Sequence, residues 1–217
     1  MRLPCISGDT FENPEVPVLC KARRLDDKID NCVLFNMDKY RHFTNINDNI
    51  PFEEKANVLF FRGEIHGKPH RIRFFEKWAN HPNFNIGDIS RNWQSPWSAT
   101  KVSIPEHFRY KYILVLEGND VATSLQWVCE SNCIPVMIRP TVESWIMHGA
   151  MISGVHYIEI SPDFCDVADK IDYYNSHQDE ARRISKASKE WIKQFSDSKR
   201  ENIISYLVAE RYCRYVR

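Results

Sequence analysis

The sequence predicts an α/β fold built on a parallel sheet, and three observations carry that reading. From about residue 57 onward, short apolar, β-branched runs alternate with longer amphipathic ones, the mark of repeated βαβ units. The strand-like runs close on glycine or proline turns, where a strand ends and a helix can begin. A chain of 217 residues with 43% hydrophobic and 27% charged residues can bury one substantial core, or one domain and a small second lobe.

The elements follow in order. NVLFF (57 to 61) reads as a buried strand and the stretch from Pro69 to Ala79 as the helix after it. KYILVL (111 to 116) is a second strand, followed by a helix from about Val121 to Ser131. IPVMI (134 to 138) and VHYIEI (155 to 160) are the next two strands. Between them TVESWIMHGAM reads as a short helical segment, because the ring of Pro140 stops the strand and favours a new helix start. Ile184, Ala187, Trp191, Ile192 and Phe195 recur at helical spacing, as do Ile203, Ile204, Leu207, Val208 and Tyr212, so two amphipathic helices are expected to pack on the sheet. Prolines 4, 14, 17 and 51 break up the first 56 residues, which leaves CVLFN (32 to 36) as one strand in a small irregular lobe, 1–56, ahead of a nucleotide-binding domain, 57–217.

Composition excludes several classes. With 29 basic and 29 acidic residues the net charge is zero, so no general field draws in nucleic acid. Seven cysteines without a CxxC pair argue against a disulfide framework and a zinc knuckle, and no metal site is expected, Cys129 and Cys133 lacking a second ligand pair. The first residues lack a signal-peptide core, and no run approaches the roughly 20 apolar residues of a spanning helix, which predicts a cytosolic chain. A dinucleotide oxidoreductase is disfavoured, since no GxGxxG follows any strand.

In an open parallel sheet, ligands collect at the carboxyl ends of the strands. Two such ends carry candidate residues. In FFRGEIHGKPHRIR, Phe61 is followed by Arg62, Gly63 and Gly67, with Arg71 and Arg73 opening the next helix. Glycines admit close backbone approach, and planar guanidinium groups bind phosphate oxygens in pairs; the plainer alternative is a solvated basic turn. In LEGNDVATSLQW, Glu117, Gly118, Asn119 and Asp120 close the strand ahead of Thr123 and Ser124, with Asn119 or Asp120 as helix cap.

The order of FRG, KYILVLEGNDVATSLQW, NCIPVMIRPTVESW and GVHYIEISPDFCDVADKIDYY resembles bacterial family 90 glycosyltransferases, which modify lipopolysaccharide or capsule, and the related animal protein O-glucosyltransferases. The resemblance runs from about Asn13 to Tyr212. It implies a GT-B-like architecture with a Rossmann-type sheet and helices on both faces. It also implies a nucleotide-sugar donor, uridine-linked, and metal-independent transfer with inversion, in keeping with the lack of a DxD motif. No further cofactor is implied. By that resemblance Arg62, Gly63 and Arg71 face the diphosphate, and Gly118, Asn119, Asp120, Thr123 and Ser124 lie near the nucleotide. Glu143 holds the ribose, Trp145, His156 and Tyr157 serve as wall and support, and Asp9, in GDTFENPEVP, is the catalytic base. The implied acceptor is a glycan or lipid-linked saccharide at the cytoplasmic face of the inner membrane, with KARR (21 to 24) and KYRH (39 to 42) as candidate lipid contacts. The rival reading is a non-catalytic subunit that binds a nucleotide sugar.

Overall fold

The computed structural model of the protein describes residues 6–10, 14–25, 31–37, 46–91 and 94–216. Its centre is a parallel sheet of five strands: β4 (Ala56–Gly63), β5 (Phe84–Asp88), β6 (Tyr110–Leu114), β7 (Ile134–Met137) and β9 (Ile158–Glu159), in the order β5-β4-β6-β7-β9. Chain order reverses between β4 and β6, which opens a crevice at their carboxyl ends. β7 is buried along its whole length, the pattern of a strand covered on both faces.

Alternation along the strands sends side chains to two cores. Leu59, Phe61, Tyr112 and Leu114 face one side, where α1 (Pro69–Trp78) contributes Phe74 and Phe75 and α4 (Val167–Ser176) contributes Val167 and Ile171. Phe60, Ile113 and Val115 face the other, against Leu125, Val128 and Cys129 of α3 (Ser124–Glu130). The short α2 (Ile104–His107) leads into β6. α5 (Gln178–Lys193) gives Ala181 and Ile184 to the first core and Ile192 to the second, as its apolar spacing predicts. The fold is therefore the expected α/β class with helices on both faces.

The first lobe is more regular than its prolines suggest. β1 (Ile6–Thr10), β2 (Val18–Arg24) and β3 (Cys32–Leu34) form a parallel sheet, and β8 (Val142–Ser144) joins it antiparallel to the second half of β2. The VES segment is thus a strand rather than part of a helix. Ala22 pairs with Ser144 and Arg24 with Val142, and this cross-lobe ladder outweighs the local helical pattern. Only a 3-10 turn, His148–Ala150, follows it, entered through Met147 at φ 55.

The last helix, α6 (Ser198–Tyr215), also departs from expectation. It turns Glu201, Ser205 and Tyr212 inward, with the Tyr212 hydroxyl donating to the Pro17 carbonyl at 2.8 Å. Ile203 and Leu207, expected on its packed face, are exposed at 60% and 53%. The Trp145 indole donates to the buried Glu201 carboxylate, and that polar contact fixes the helix rotation.

Candidate active site

At the crevice between β4 and β6, α1 begins with Pro at its first position and lays Lys68, His70 and Arg71 over the end of β6. Arg71 donates through Nε to the Glu117 carbonyl at 3.0 Å, through Nη2 to the Leu116 carbonyl at 2.6 Å and through Nη1 to the Glu64 carbonyl at 2.6 Å. Burial brings its pKa down to about 10, which leaves it charged at neutral pH. His70 Nε2 meets the Glu117 carbonyl at 2.8 Å, and Lys68 donates to Asn119 Oδ1. A Cβ on Gly118 would stand 3.5 Å from Arg71 Nη2. Arg71, Gly118 and Asn119 are thus brought together.

Arg62 and Gly63 are not part of that cluster. Arg62 turns to β5, on the side of β4 away from β6, and donates to Asn85 Oδ1 at 2.7 Å and to the Asn85 carbonyl at 3.0 Å. Its guanidinium lies 4.5 Å from the centre of the Phe60 ring, and burial lowers its pKa. The physical reason is period two: Arg62 shares a sheet face with Phe60 and folds back along it. Gly63 is required by packing, because a Cβ there would fall 2.5 Å from Cζ of Phe61.

Neither Asn119 nor Asp120 caps α3. Asn119 accepts from Lys68, and Asp120 pairs with Lys21 of β2 at 2.6 Å. Thr123 precedes α3 without a side-chain cap bond, and Ser124 is its first residue. The KARR cations are likewise spent inside the protein. Arg23 donates from Nε at 2.9 Å and pairs from Nη2 at 2.7 Å, both to Glu143 Oε1, while Ala22 packs with Val121 and Val142. KYRH lies outside the described residues. Asp9 sits on β1 opposite Ala22; its side chain also lies outside the described residues.

A cleft of about 300 Å³ opens beyond the end of β7, lined by Arg139, Pro140, His148, Gly149, Tyr157 and Leu25 among others. Arg139 follows a wholly buried strand, is exposed, and is engaged by no hydrogen bond or ion pair among the described residues. Tyr157 donates its hydroxyl to Glu159 Oε2 at 2.9 Å; burial and that carboxylate push its pKa up. The Ser144 N–H donates to His148 Nδ1 at 3.1 Å, and the Ile152 N–H to His156 Nδ1 at 2.9 Å, so both rings are held by backbone.

Glu143, buried on β8, lies behind Gly149 of the cleft's lining. A Cβ on Gly149 would stand 3.1 Å from Glu143 Oε2 and 2.5 Å from Leu25 Cδ2, so the glycine keeps that wall open. A crease lined by Glu117, Val121, Pro140 and His148 shares its last two residues with the cleft and joins it to the first corner. Glu117 ties the same corner to β8 by accepting from the Thr141 and Val142 N–H groups at 2.8 and 3.3 Å. The cleft thus presents the Arg139 guanidinium, with the Glu143 carboxylate buried behind Gly149. Such a pair suits a ligand with a phosphate at one end and vicinal hydroxyls at the other. Arg139 is the residue that motif reading missed; its signal was a basic side chain directly after a fully apolar strand.

The model of "Glycosyl transferase family 90" matches residues 36–213. The chain belongs to that family. An O-glucosyltransferase LpsA of Dichelobacter nodosus is 36% identical over 206 residues, covering 94% of this chain and 64% of that protein. Protein O-glucosyltransferase 1 of Rattus norvegicus is 24% identical over 152 residues, 65% of this chain and 38% of the relative. This family 90 chain therefore spans under two thirds of the curated relatives it matches. Among solved structures, the C-terminal domain of a glycosyl transferase group 1 family protein (LpcC) from Francisella tularensis aligns with a TM-score of 0.43 and 12% identity, over 73% of this chain and 97% of the other. No helix among the described residues is long and apolar enough to cross a membrane.

Proposed function

We propose that the chain transfers a sugar from a nucleotide diphosphate donor, a uridine diphosphate sugar, to a lipopolysaccharide or capsule glycan, with inversion and without a metal ion. One observation carries the reading: in a family 90 chain, Arg139 lines a strand-end cleft without a hydrogen bond or ion pair among the described residues, and the buried Glu143 carboxylate lies behind Gly149 of the cleft's lining. Arg139 takes the diphosphate, and Glu143 accepts from the ribose hydroxyls through Oε2 while Arg23 holds Oε1. Arg71 keeps two N–H groups beyond its three carbonyl bonds and is a lesser contact for the same diphosphate. Gly118, Asn119, Asp120, Thr123 and Ser124 border the nucleotide, and Arg62 and Gly63 stiffen β4 behind it.

In the reaction the acceptor hydroxyl oxygen bonds to the anomeric carbon as the bond from that carbon to the diphosphate oxygen breaks. The bonding pair leaves on the diphosphate, whose growing charge Arg139 stabilises. The hydroxyl proton goes to a carboxylate, for which Asp9 is the candidate; it lies one strand from Ala22, whose neighbours Lys21 and Arg23 meet the strand-end loops. Asp9→Asn is expected to abolish transfer and leave nucleotide affinity nearly intact; retained transfer removes Asp9 from the role. Residues 1–56 form the acceptor-side lobe and 57–217 the donor side, working at the cytoplasmic face of the inner membrane.

The second reading is a nucleotide-sugar-binding subunit without turnover. Uridine, guanosine and cytidine diphosphate sugars separate the two. Because that relative is named an O-glucosyltransferase, uridine diphosphate glucose is the first donor to test. Slow release of uridine diphosphate without acceptor, faster with a lipopolysaccharide core, is the expected result. A thermal shift with nucleotide and no release favours the binding subunit, and neither shift nor release removes both readings.

A further inference from the structure

We infer that the outward face of α6 docks on an anionic lipid bilayer, a contact independent of the sugar-transfer reading. Three observations combine. Ile203, Tyr206, Leu207 and Tyr215 are exposed at 60%, 69%, 53% and 74%, so the helix presents an apolar and aromatic stripe to water over more than three turns. Lys199, Arg200, Arg211 and Arg214 are exposed around that stripe. Of the helix's two acids, Glu201 is buried against Trp145 and pairs with Arg200 at 3.5 Å, and Glu210 is engaged by Arg214; Lys199 and Arg211 then leave the outward surface with a positive excess.

Charge complementarity selects the occupant. Apolar residues interleaved with basic ones, with tyrosines among them, match a headgroup layer: long cationic side chains reach acidic phosphates while their stems and the apolar residues enter the acyl boundary. The helix is rigidly joined to the site, because Glu201 holds Trp145, one residue beyond β8 and two beyond Glu143. A bilayer under α6 would therefore fix the orientation of the strand-end cleft relative to lipid-anchored molecules.

The test is flotation of the full chain with vesicles. Wild type is expected to float with phosphatidylglycerol-rich vesicles and not with pure phosphatidylcholine, and to be released by high salt. Leu207→Glu, and separately Lys199→Glu with Arg211→Glu, should each lower vesicle affinity at least about tenfold. Circular dichroism should show unchanged helix content, and the charge-reversal variant keeps the apolar stripe intact. Absence of flotation, equal flotation with both lipids, or variants that bind like wild type overturn the inference. So does a concentration-dependent dimer in sedimentation that Leu207→Glu dissolves, which would make a second copy the occupant.

Discussion

Two corners of the same sheet edge use arginine in opposite ways. At the crevice between β4 and β6, Arg71 is half-buried and gives three of its N–H groups to backbone carbonyls, closing the loop with the protein's own acceptors. At the end of β7, Arg139 is exposed beside a cleft of about 300 Å³, near enough to Tyr157 to act on its hydroxyl electrostatically but without a hydrogen bond or ion pair among the described residues. The first arrangement stabilises structure and the second leaves charge for a ligand. Position at a strand end does not distinguish them; hydrogen-bond accounting does.

That contrast can be broken by substitution, and the largest effect belongs to the open corner. Arg139→Ala should lower donor turnover by about 10²- to 10³-fold, the usual cost of losing one preorganised charge stabiliser, with an unchanged melting temperature. Arg71→Ala should do the reverse in kind. It strands the Leu116, Glu117 and Glu64 carbonyls and should cost roughly 2–3 kcal/mol in denaturant unfolding, with Arg71→Lys recovering little because one ammonium cannot span three acceptors. Gly149→Ala sharpens the comparison within the cleft. Its methyl would press on Leu25 and Glu143 Oε2, so nucleotide affinity by titration should fall about threefold to tenfold with little loss of stability. The smallest effect is expected at Lys68→Ala, whose bond to Asn119 is exposed and should contribute under about 1 kcal/mol to unfolding.

Much of the sheet was legible because β4, β6 and β7 each contain a short apolar run, 58–61, 112–114 and 134–137. β5 was not, since Phe84–Asp88 carries two large apolar residues beside an asparagine, a glycine and an aspartate, too little pattern to separate from a loop. β8 escaped for a different reason: three residues become a strand only through pairing with β2, more than a hundred positions away in sequence. α6 shows the limit of periodicity, which marks an apolar stripe without saying what it faces. At the site, the sequence grouped Arg71, Gly118 and Asn119, which the structure brings together at the end of β6, and it placed Arg62 among them because a motif carries no side-chain direction. Arg62 follows Phe60 onto the β5 side, a consequence of pleat geometry that a contiguous FRG string hides.

The central claim is that Arg139, rather than the cations of the closed corner, receives the donor's diphosphate. Calorimetric titration of wild type and Arg139→Ala with uridine diphosphate and with uridine tests it directly. The account predicts that the substitution weakens uridine diphosphate by at least about tenfold and leaves uridine unchanged. Equal affinity of both proteins for the diphosphate would contradict it.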